Sequence, residues 1–311
     1  MSTNDAGMAS FAEIMRHHGE LMVNPLLWTS RHLEIMGARF QHLENASQVE
    51  QPRDDERPSE GLADREYFAR VVAWSLDRRE KYFPHVANIV REHSKGPEFM
   101  FAGRPVHRPV YTVFRRRDQP DRPVSQESLA LIGYVNYTNV SGPRWHKCYP
   151  RPRKDGRDNS PVQKKLDRVT PEERTEDPYF ICILLSLTQL QERLLESQKR
   201  ENHLSRLLVA FPFDPEYIHI YEARITSDFL RALETPTTAM KEAKFPTIEH
   251  RKIPFRPYKT FQERILVELS INNFSLASDV PNGTLSNVTN PHLKRPYEQA
   301  DDERCKRGRV S

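Results

Sequence analysis

The most regular hydrophobic pattern in the chain begins at Asp177. Apolar residues follow one another almost without interruption over 180–187 and then become sparse. Asp177 is followed by Pro178, and an Asp before a Pro at the first helical position is a strong helix start. The pattern predicts a helix over 178–195 that is buried all round in its first half and amphipathic in its second half.

Two runs with the character of β-strands follow this helix. Residues 204–213 are mostly apolar and predict a buried strand, whereas residues 217–225 alternate between two faces. The residues between them, 214–216, have the composition of a turn. A helix docked on a hairpin is the start of a layered fold, so we expect the domain to be built around this unit.

The remaining elements are predicted from weaker patterns. They are, in chain order, helices within 1–50, a helix from 64, an antiparallel hairpin made of 106–114 and 129–137, a short helix at 227–233, a strand at 247–253 and an amphipathic helix at 257–269. This order favours the α+β class, with a small mixed or mainly antiparallel sheet covered by helices.

Composition divides the chain into segments. Residues 1–50 are predicted to form a helical N-terminal arm, and 51–63 a polar linker. Residues 64–271 are predicted to form the α+β core domain, with an exposed basic loop at 141–176. Residues 272–311 are rich in Asn, Ser, Thr and Pro, which predicts a disordered tail.

Bulk composition excludes several classes of protein. No two of the 11 glycines form a GxG pattern, and no GK[ST] sequence occurs, so the usual dinucleotide and P-loop phosphate cradles are not expected. Cys148, Cys182 and Cys305 lie far apart, which predicts neither a disulfide framework nor a zinc finger. These patterns predict no cofactor.

The apolar runs are too short for a membrane protein. The longest, residues 179–185, falls well below the roughly 20 residues that a membrane-spanning helix needs. The N-terminal residues carry Asp5 and Glu13 and no long apolar run, so no secretory signal is visible. The sequence therefore predicts a soluble intracellular protein without a membrane partner.

Two basic clusters near the C-terminus have the spacing of a bipartite nuclear-import signal. Ten residues separate the clusters, which are Lys294 and Arg295, and Lys306, Arg307 and Arg309. Each cluster could enter an acidic groove of an import receptor. The sequence thus predicts an import receptor as partner and the nucleus as location; the alternative is a solvated charged terminus without a partner.

A second basic stretch is a candidate for nucleic-acid contact. Cations neutralise phosphates, and aromatic rings stack on bases. The candidates are Arg144, Trp145, Lys147, Tyr149, Arg151, Arg153, Lys154, Arg157, Lys164 and Lys165. The alternatives are a basic solvent-exposed loop without a partner and a second import or partner signal.

A nuclease is the alternative to a binding protein. A helix followed by two strands is also found in PD-(D/E)xK nucleases, whose acidic residues hold magnesium and activate water. The catalytic candidates for this alternative are Glu192, Asp214 and Glu222, with magnesium as the cofactor. Arg224 stands where those enzymes carry a lysine, and arginine cannot lose a proton to act as a base.

Three segments together resemble a known group of proteins. They are Asp177-Pro-Tyr-Phe-Ile with its Leu-rich continuation to Gln191, Tyr217-Ile-His-Ile-Tyr-Glu-Ala, and Ile253-Pro-Phe-Arg-Pro-Tyr with the following Phe261-Gln-Glu-Arg. This combination resembles a family of uncharacterised intracellular proteins of filamentous ascomycete fungi, over roughly residues 64–270. The resemblance implies a fungal intracellular protein, for which a nuclear location is one expectation, and assigns no catalytic residue.

These patterns favour a non-enzymatic function. No complete catalytic set is visible, while the basic clusters and the net charge of +4 point to acidic or nucleic-acid partners. The sequence therefore predicts a nuclear interaction or regulatory protein that binds protein or nucleic-acid partners. An active or degenerate nuclease-fold protein remains the alternative.

Overall fold

The structure is a computed structural model that describes six ranges of the chain. They are 10–43, 62–116, 131–149, 160–194, 201–238 and 245–269. The predicted tail, 272–311, and almost all of the predicted linker, 51–63, lie outside the described residues.

The described helices are α1 (Phe11–His17), α2 (Ser30–Met36), α3 (Leu62–Trp74), α4 (Leu76–Ala87), α5 (Thr138–Cys148), α6 (Ser160–Val169), α7 (Tyr179–Leu194), α8 (Ser227–Glu234) and α9 (Phe261–Glu268). The described strands are β1 (Phe40–His42), β2 (Ile89–His93), β3 (Phe99–Phe101), β4 (Arg104–His107), β5 (Thr112–Arg116), β6 (Leu131–Asn136), β7 (Asn202–Ala210), β8 (Tyr217–Thr226) and β9 (Ile248–Pro254). Short 3₁₀ turns include Pro25–Leu27, Arg174–Glu176 and Tyr258–Thr260.

Within the described residues, seven strands form one mixed sheet in the order β1-β9-β8-β7-β6-β5-β2. The pairs β1/β9 and β6/β7 are parallel, and the other neighbouring pairs are antiparallel. Strands β3 and β4 form a separate two-stranded sheet. The α+β prediction with a mixed sheet covered by helices is therefore confirmed.

The strand register determines which side chains share a face of the sheet. Directly opposed residues point to the same side, so Leu207, Tyr221 and His250 line one face. Arg206 and Glu222 line the other. The first face packs on α7 and on the N-terminal helices, and the second on α3, α4 and α9.

Helix α7 is the predicted central helix. The Asp177 carboxylate accepts a hydrogen bond from the Tyr179 amide at 2.9 Å, which confirms Asp177 as the cap. The prediction of a water-facing second half was wrong at Gln189 and Gln191, which are buried. Gln189 pairs with the backbone N–H and C=O of Met100 at 3.0 and 2.8 Å, because it lies beside β3, where its amide completes strand hydrogen bonds.

The N-terminal segment belongs to the core. Phe11, Leu26 and Trp28 are buried in the same hydrophobic cluster as α7. Strand β1 adds an edge to the sheet by pairing Phe40 with Ile248. Residues 10–43 are therefore not a separate arm, because their apolar side chains cover the α7 side of the sheet.

The predicted exposed loop at 141–176 is wrong for much of its length. Helices α5 and α6 and the Arg174–Glu176 turn lie within it. Gly142 and Pro143 inside α5, together with the high charge of the region, made the sequence pattern look irregular. The predicted hairpin of 106–114 and 129–137 is confirmed in β5 and β6, where Val113 opposes Gly133.

The outer edge of the sheet at β2 is irregular. The register with β5 shifts between Arg91 and His93, which is the mark of a β-bulge. Arg91, Glu92 and His93 are all exposed. No helix in the described part of the chain has the length and apolar content to cross a membrane.

Candidate functional site

Helices α5 and α6 pack together, and both carry exposed cations, while α5 also carries an exposed aromatic ring. The rings of Trp145 and Tyr149, one helical turn apart, stack with centroids 4.7 Å apart and planes at 12°. Trp145 remains 44% exposed. We call this region the α5–α6 surface, defined by Trp145, His146, Lys147, Tyr149, Lys164, Lys165 and Arg168.

The stretch of chain that carries this surface has an excess of positive charge. Residues 145–169 contain eight Lys or Arg and three Asp. Lys147, Lys164 and Lys165 form no ion pair with another described residue. Arg151, Arg153, Lys154 and Arg157, which the sequence also suggested, lie outside the described residues.

Arg144 was wrongly assigned to nucleic-acid contact. Its side chain is 1% exposed and forms a bidentate ion pair with Asp177, with both nitrogen–oxygen distances at 2.7 Å. It also donates to the Leu26 carbonyl at 2.8 Å, and the Tyr137 hydroxyl donates to Asp177 at 2.8 Å. Arg144 therefore ties α5 to the start of α7 and cannot reach a partner.

The three acids of the nuclease alternative occupy separate environments. Glu192 pairs with His203 and accepts from Ser227. Asp214 pairs with His219 at 3.1 Å, on the α7 face of the sheet. Glu222 is buried on the opposite face.

The described surroundings of these three acids do not form a shared metal site. Glu222 lies between the guanidinium groups of Arg206 and Arg251, which already neutralise it. His203, the partner of Glu192, opposes Ile225, six residues along β8 from His219, or about 20 Å. Among the described residues, no group of three or more His, Cys, Asp or Glu side chains is arranged to hold a metal ion.

A continuous row of hydrogen-bonded histidines crosses β1, β9 and β8. The Nδ1 atoms of His42 and His250 are 2.7 Å apart, and His250 Nε2 lies 2.9 Å from His219 Nδ1. The row ends on two carboxylates, with His42 Nε2 2.7 Å from Glu176 and His219 Nε2 3.1 Å from Asp214. We call these five residues the histidine chain.

The sheet register explains why these rings meet. His42 directly opposes His250 across the parallel β1/β9 pair. On β8, Tyr221 directly opposes His250, and His219 lies two residues before Tyr221, so its side chain is on the same face. Each pair of rings meets edge to edge, because the nitrogen atoms are within 3 Å while the ring centroids are 4.9 and 5.1 Å apart.

Burial sets the charge of the two inner rings. His219 is 0% and His250 3% exposed. Burial lowers the pKa of His219 to about 4, and Asp214 only partly opposes this effect. Burial, followed by the neighbouring His219 and His42, lowers the pKa of His250 to about 3. Both inner rings are therefore neutral at neutral pH.

A second exposed aromatic group lies on α3 and was missed by the sequence reasoning. Trp74 is 79% exposed and Tyr67 57%. The Trp74 indole donates to the Tyr258 hydroxyl at 2.9 Å, and Arg256 donates to the same oxygen at 3.3 Å. With Arg70, whose guanidinium lies 5.4 Å from the Tyr258 ring centroid, these residues form what we call the Trp74 surface.

The sequence did contain a signal for the Trp74 surface. Tyr67, Arg70 and Trp74 are spaced by three and four residues and so share one side of a helix. Ala69 and Val72, on another side, face the core. A separate comparison of the two sides would have placed Trp74 in solvent.

The import-signal residues Lys294, Arg295, Lys306, Arg307 and Arg309 lie outside the described residues. Comparison of the chain with protein-family models and with curated proteins gave no match.

Proposed function

We propose that this protein is a non-enzymatic nuclear interaction protein that binds nucleic acid through the α5–α6 surface. The observation that carries the proposal is the stack of exposed Trp145 on half-buried Tyr149, on a pair of helices whose exposed lysines form no ion pair with a described residue. Cations of this kind exchange bound counterions for phosphates, and an exposed indole can stack on a base.

Binding to single-stranded nucleic acid tests this surface. Lys164→Gln with Lys165→Gln removes two phosphate contacts, so the slope of log affinity against log salt should become shallower by roughly 1.4. Trp145→Ala removes a stacking ring and should weaken binding by about 1–3 kcal/mol. Fluorescence anisotropy of a labelled oligonucleotide, titrated with the full chain at several salt concentrations, measures both effects.

Two matched variants control for general loss of charge or of an indole. Lys81→Gln with Lys95→Gln removes two exposed lysines elsewhere, and Trp74→Ala removes another exposed tryptophan. Both should leave affinity and salt slope unchanged. Absence of binding by the wild type, or equal losses in the control and test variants, would rule out the α5–α6 surface as the interface.

Nuclear location is part of the proposal and rests on the paired basic clusters in the sequence. A fluorescent fusion that lacks residues 291–311 should lose nuclear enrichment. Lys306→Ala with Arg307→Ala should have a similar effect in the full-length chain, since a bipartite signal needs both clusters. An unchanged distribution of both variants would show that the tail does not direct import.

Protein binding through the Trp74 surface is a second candidate function. The Tyr258 hydroxyl accepts hydrogen bonds from both Trp74 and Arg256, so its own hydrogen is directed away from them. Trp, Tyr and Arg are the residues most enriched at the energetic centres of protein interfaces. The surface therefore suits a partner that presents an apolar side chain next to hydrogen-bond acceptors.

A photocrosslinking residue at position 74 of the full-length protein tests this second candidate in cells. We expect one discrete protein adduct, and we expect Arg256→Ala to reduce its yield several-fold. The same residue placed at position 95, which is also exposed, provides the background. Equal adducts from both positions would argue against a partner at Trp74.

The structure gives no support to the nuclease alternative. A magnesium-dependent mechanism needs its acids within reach of one ion. Asp214 and Glu222 lie on opposite faces of the sheet. Glu192 pairs with His203, which opposes Ile225 at the far end of β8 from Asp214.

A further inference from the structure

The hydrogens needed by the histidine chain can be counted. Four links join Glu176, His42, His250, His219 and Asp214, and each link needs one hydrogen. A carboxylate can only accept, and a neutral imidazole carries a single N–H. Three neutral rings between two carboxylates therefore supply three hydrogens for four links, and one contact would be left with two facing lone pairs.

We infer that the histidine chain is a built-in proton-binding site, which holds a fourth proton as an imidazolium at His42. His42 is the exposed ring of the three and lies against Glu176. As an imidazolium it donates to Glu176 through Nε2 and to His250 through Nδ1. His250 then donates through Nε2 to His219, and His219 donates through Nε2 to Asp214, so that every link is satisfied.

The surrounding charges agree with this placement. Lys252 donates to Asp214 at 2.9 Å and disfavours a second cation at the inner end of the chain. Tyr221 stacks on His250 with centroids 4.5 Å apart and brings no charge. The charged and titratable groups around the chain are Glu176, Asp214, Lys252, Arg79 and Tyr221, and Arg251 acts on it from the opposite face of the sheet. The acid next to the exposed ring is Glu176, which makes His42 the favourable place for the proton.

The proton helps to attach the N-terminal segment to the sheet, because His42 belongs to the edge strand β1. Strand β1 has three residues, and among the described strands its backbone pairs only with β9. Protonated His42 adds charge-assisted hydrogen bonds from β1 to the Arg174–Glu176 turn and to β9. Loss of the proton removes one of these links and weakens the attachment of the N-terminal segment.

Imidazole nitrogen NMR of the full-length, ¹⁵N-histidine-labelled protein at pH 7 tests the proton count. His42 should show two protonated nitrogens, and His250 and His219 should each carry a proton on Nε2 and none on Nδ1. Glu176→Gln supplies an amide N–H in place of a carboxylate oxygen, so the four links then need only neutral rings. In that variant His42 should become neutral, with its proton on Nδ1.

The pH dependence of folding tests this role of the proton. Above pH 7 the unfolded histidines are neutral, so a proton held only by the folded chain makes the folding equilibrium constant fall as pH rises. We expect the folding equilibrium constant of the wild type to fall as pH rises above 7, by at most about tenfold per pH unit because one proton is involved. In His42→Gln and in Glu176→Gln this component of the slope should vanish.

His93→Gln is the matched control, since His93 is an exposed histidine on the opposite edge strand. It should keep the wild-type slope. Three neutral rings in the wild type, a charged inner ring, or equal slopes in the wild type and Glu176→Gln would each overturn the inference.

Discussion

At the scale of the residue, Arg144 shows that a cation in a basic stretch can stabilise the fold and not bind a partner. In the sequence it belongs to a basic stretch, and in the structure it satisfies Asp177, Leu26 and, through Asp177, the cap of α7. The partner lies 33 residues away, so the local composition contains no sign of the pair. The prediction of an exposed cation failed because burial depends on contacts between distant segments.

Arg144→Met should strongly destabilise the protein, since it leaves the Asp177 carboxylate buried without its cation. Loss of one partner from a buried pair costs about 3–5 kcal/mol. Lys147→Met, one turn away on the exposed side of α5, should change stability by less than about 0.5 kcal/mol. Urea unfolding measures both values, and equal stabilities of the two variants would contradict this role of Arg144.

At the scale of the element, patterns that are local in sequence predicted the structure well. The apolar run of α7 and the alternation in β8 gave the type of each element, although β8 is buried on both faces and not on one. Strand β1 could not be predicted, because its three residues form a strand only by pairing with β9, about 208 residues later. The histidine chain was hidden for the same reason, because its rings come from three strands that lie far apart in the sequence.

The candidate interface, too, was predicted only in the part that depends on local composition. The aromatic and cationic residues of the α5–α6 surface were named from composition alone, and the structure places Trp145, Lys147, Lys164 and Lys165 in solvent. Their helical arrangement, including the Trp145–Tyr149 stack, was not predicted. Periodicity is weak in α5, since Gly142 and Pro143 interrupt it, and tertiary packing on the core completes the helix.

At the scale of the whole molecule, three buried histidines and one half-buried histidine make the fold sensitive to acid. Burial is the main cause that lowers the pKa of His32, of His107 to about 4, of His219 to about 4 and of His250 to about 3. Each ring stays neutral in the folded state but takes up a proton in the unfolded chain below about pH 6.5. The four neutral rings therefore contribute fully to folding stability above pH 6.5, and this stability is lost as pH falls towards 4.

His107→Gln isolates one part of this acid sensitivity. His107 contacts the Tyr179 hydroxyl at 2.8 Å, a contact that a glutamine amide can keep. Between pH 6.5 and 4 the variant should lose less stability than the wild type, by on the order of 2 kcal/mol. Urea unfolding across this range measures the difference, and parallel curves would show that His107 is protonated in the folded state too.

The bulge in β2 has a consequence for how copies of this protein behave at high concentration. A regular outer strand would offer a row of free backbone groups to a second molecule and so seed the growth of intermolecular sheets. The shift between Arg91 and His93 interrupts that row, and three consecutive polar side chains surround it with charge and water. Replacing the bulged residues of β2 with apolar ones that pair regularly should make the protein aggregate and precipitate at high concentration.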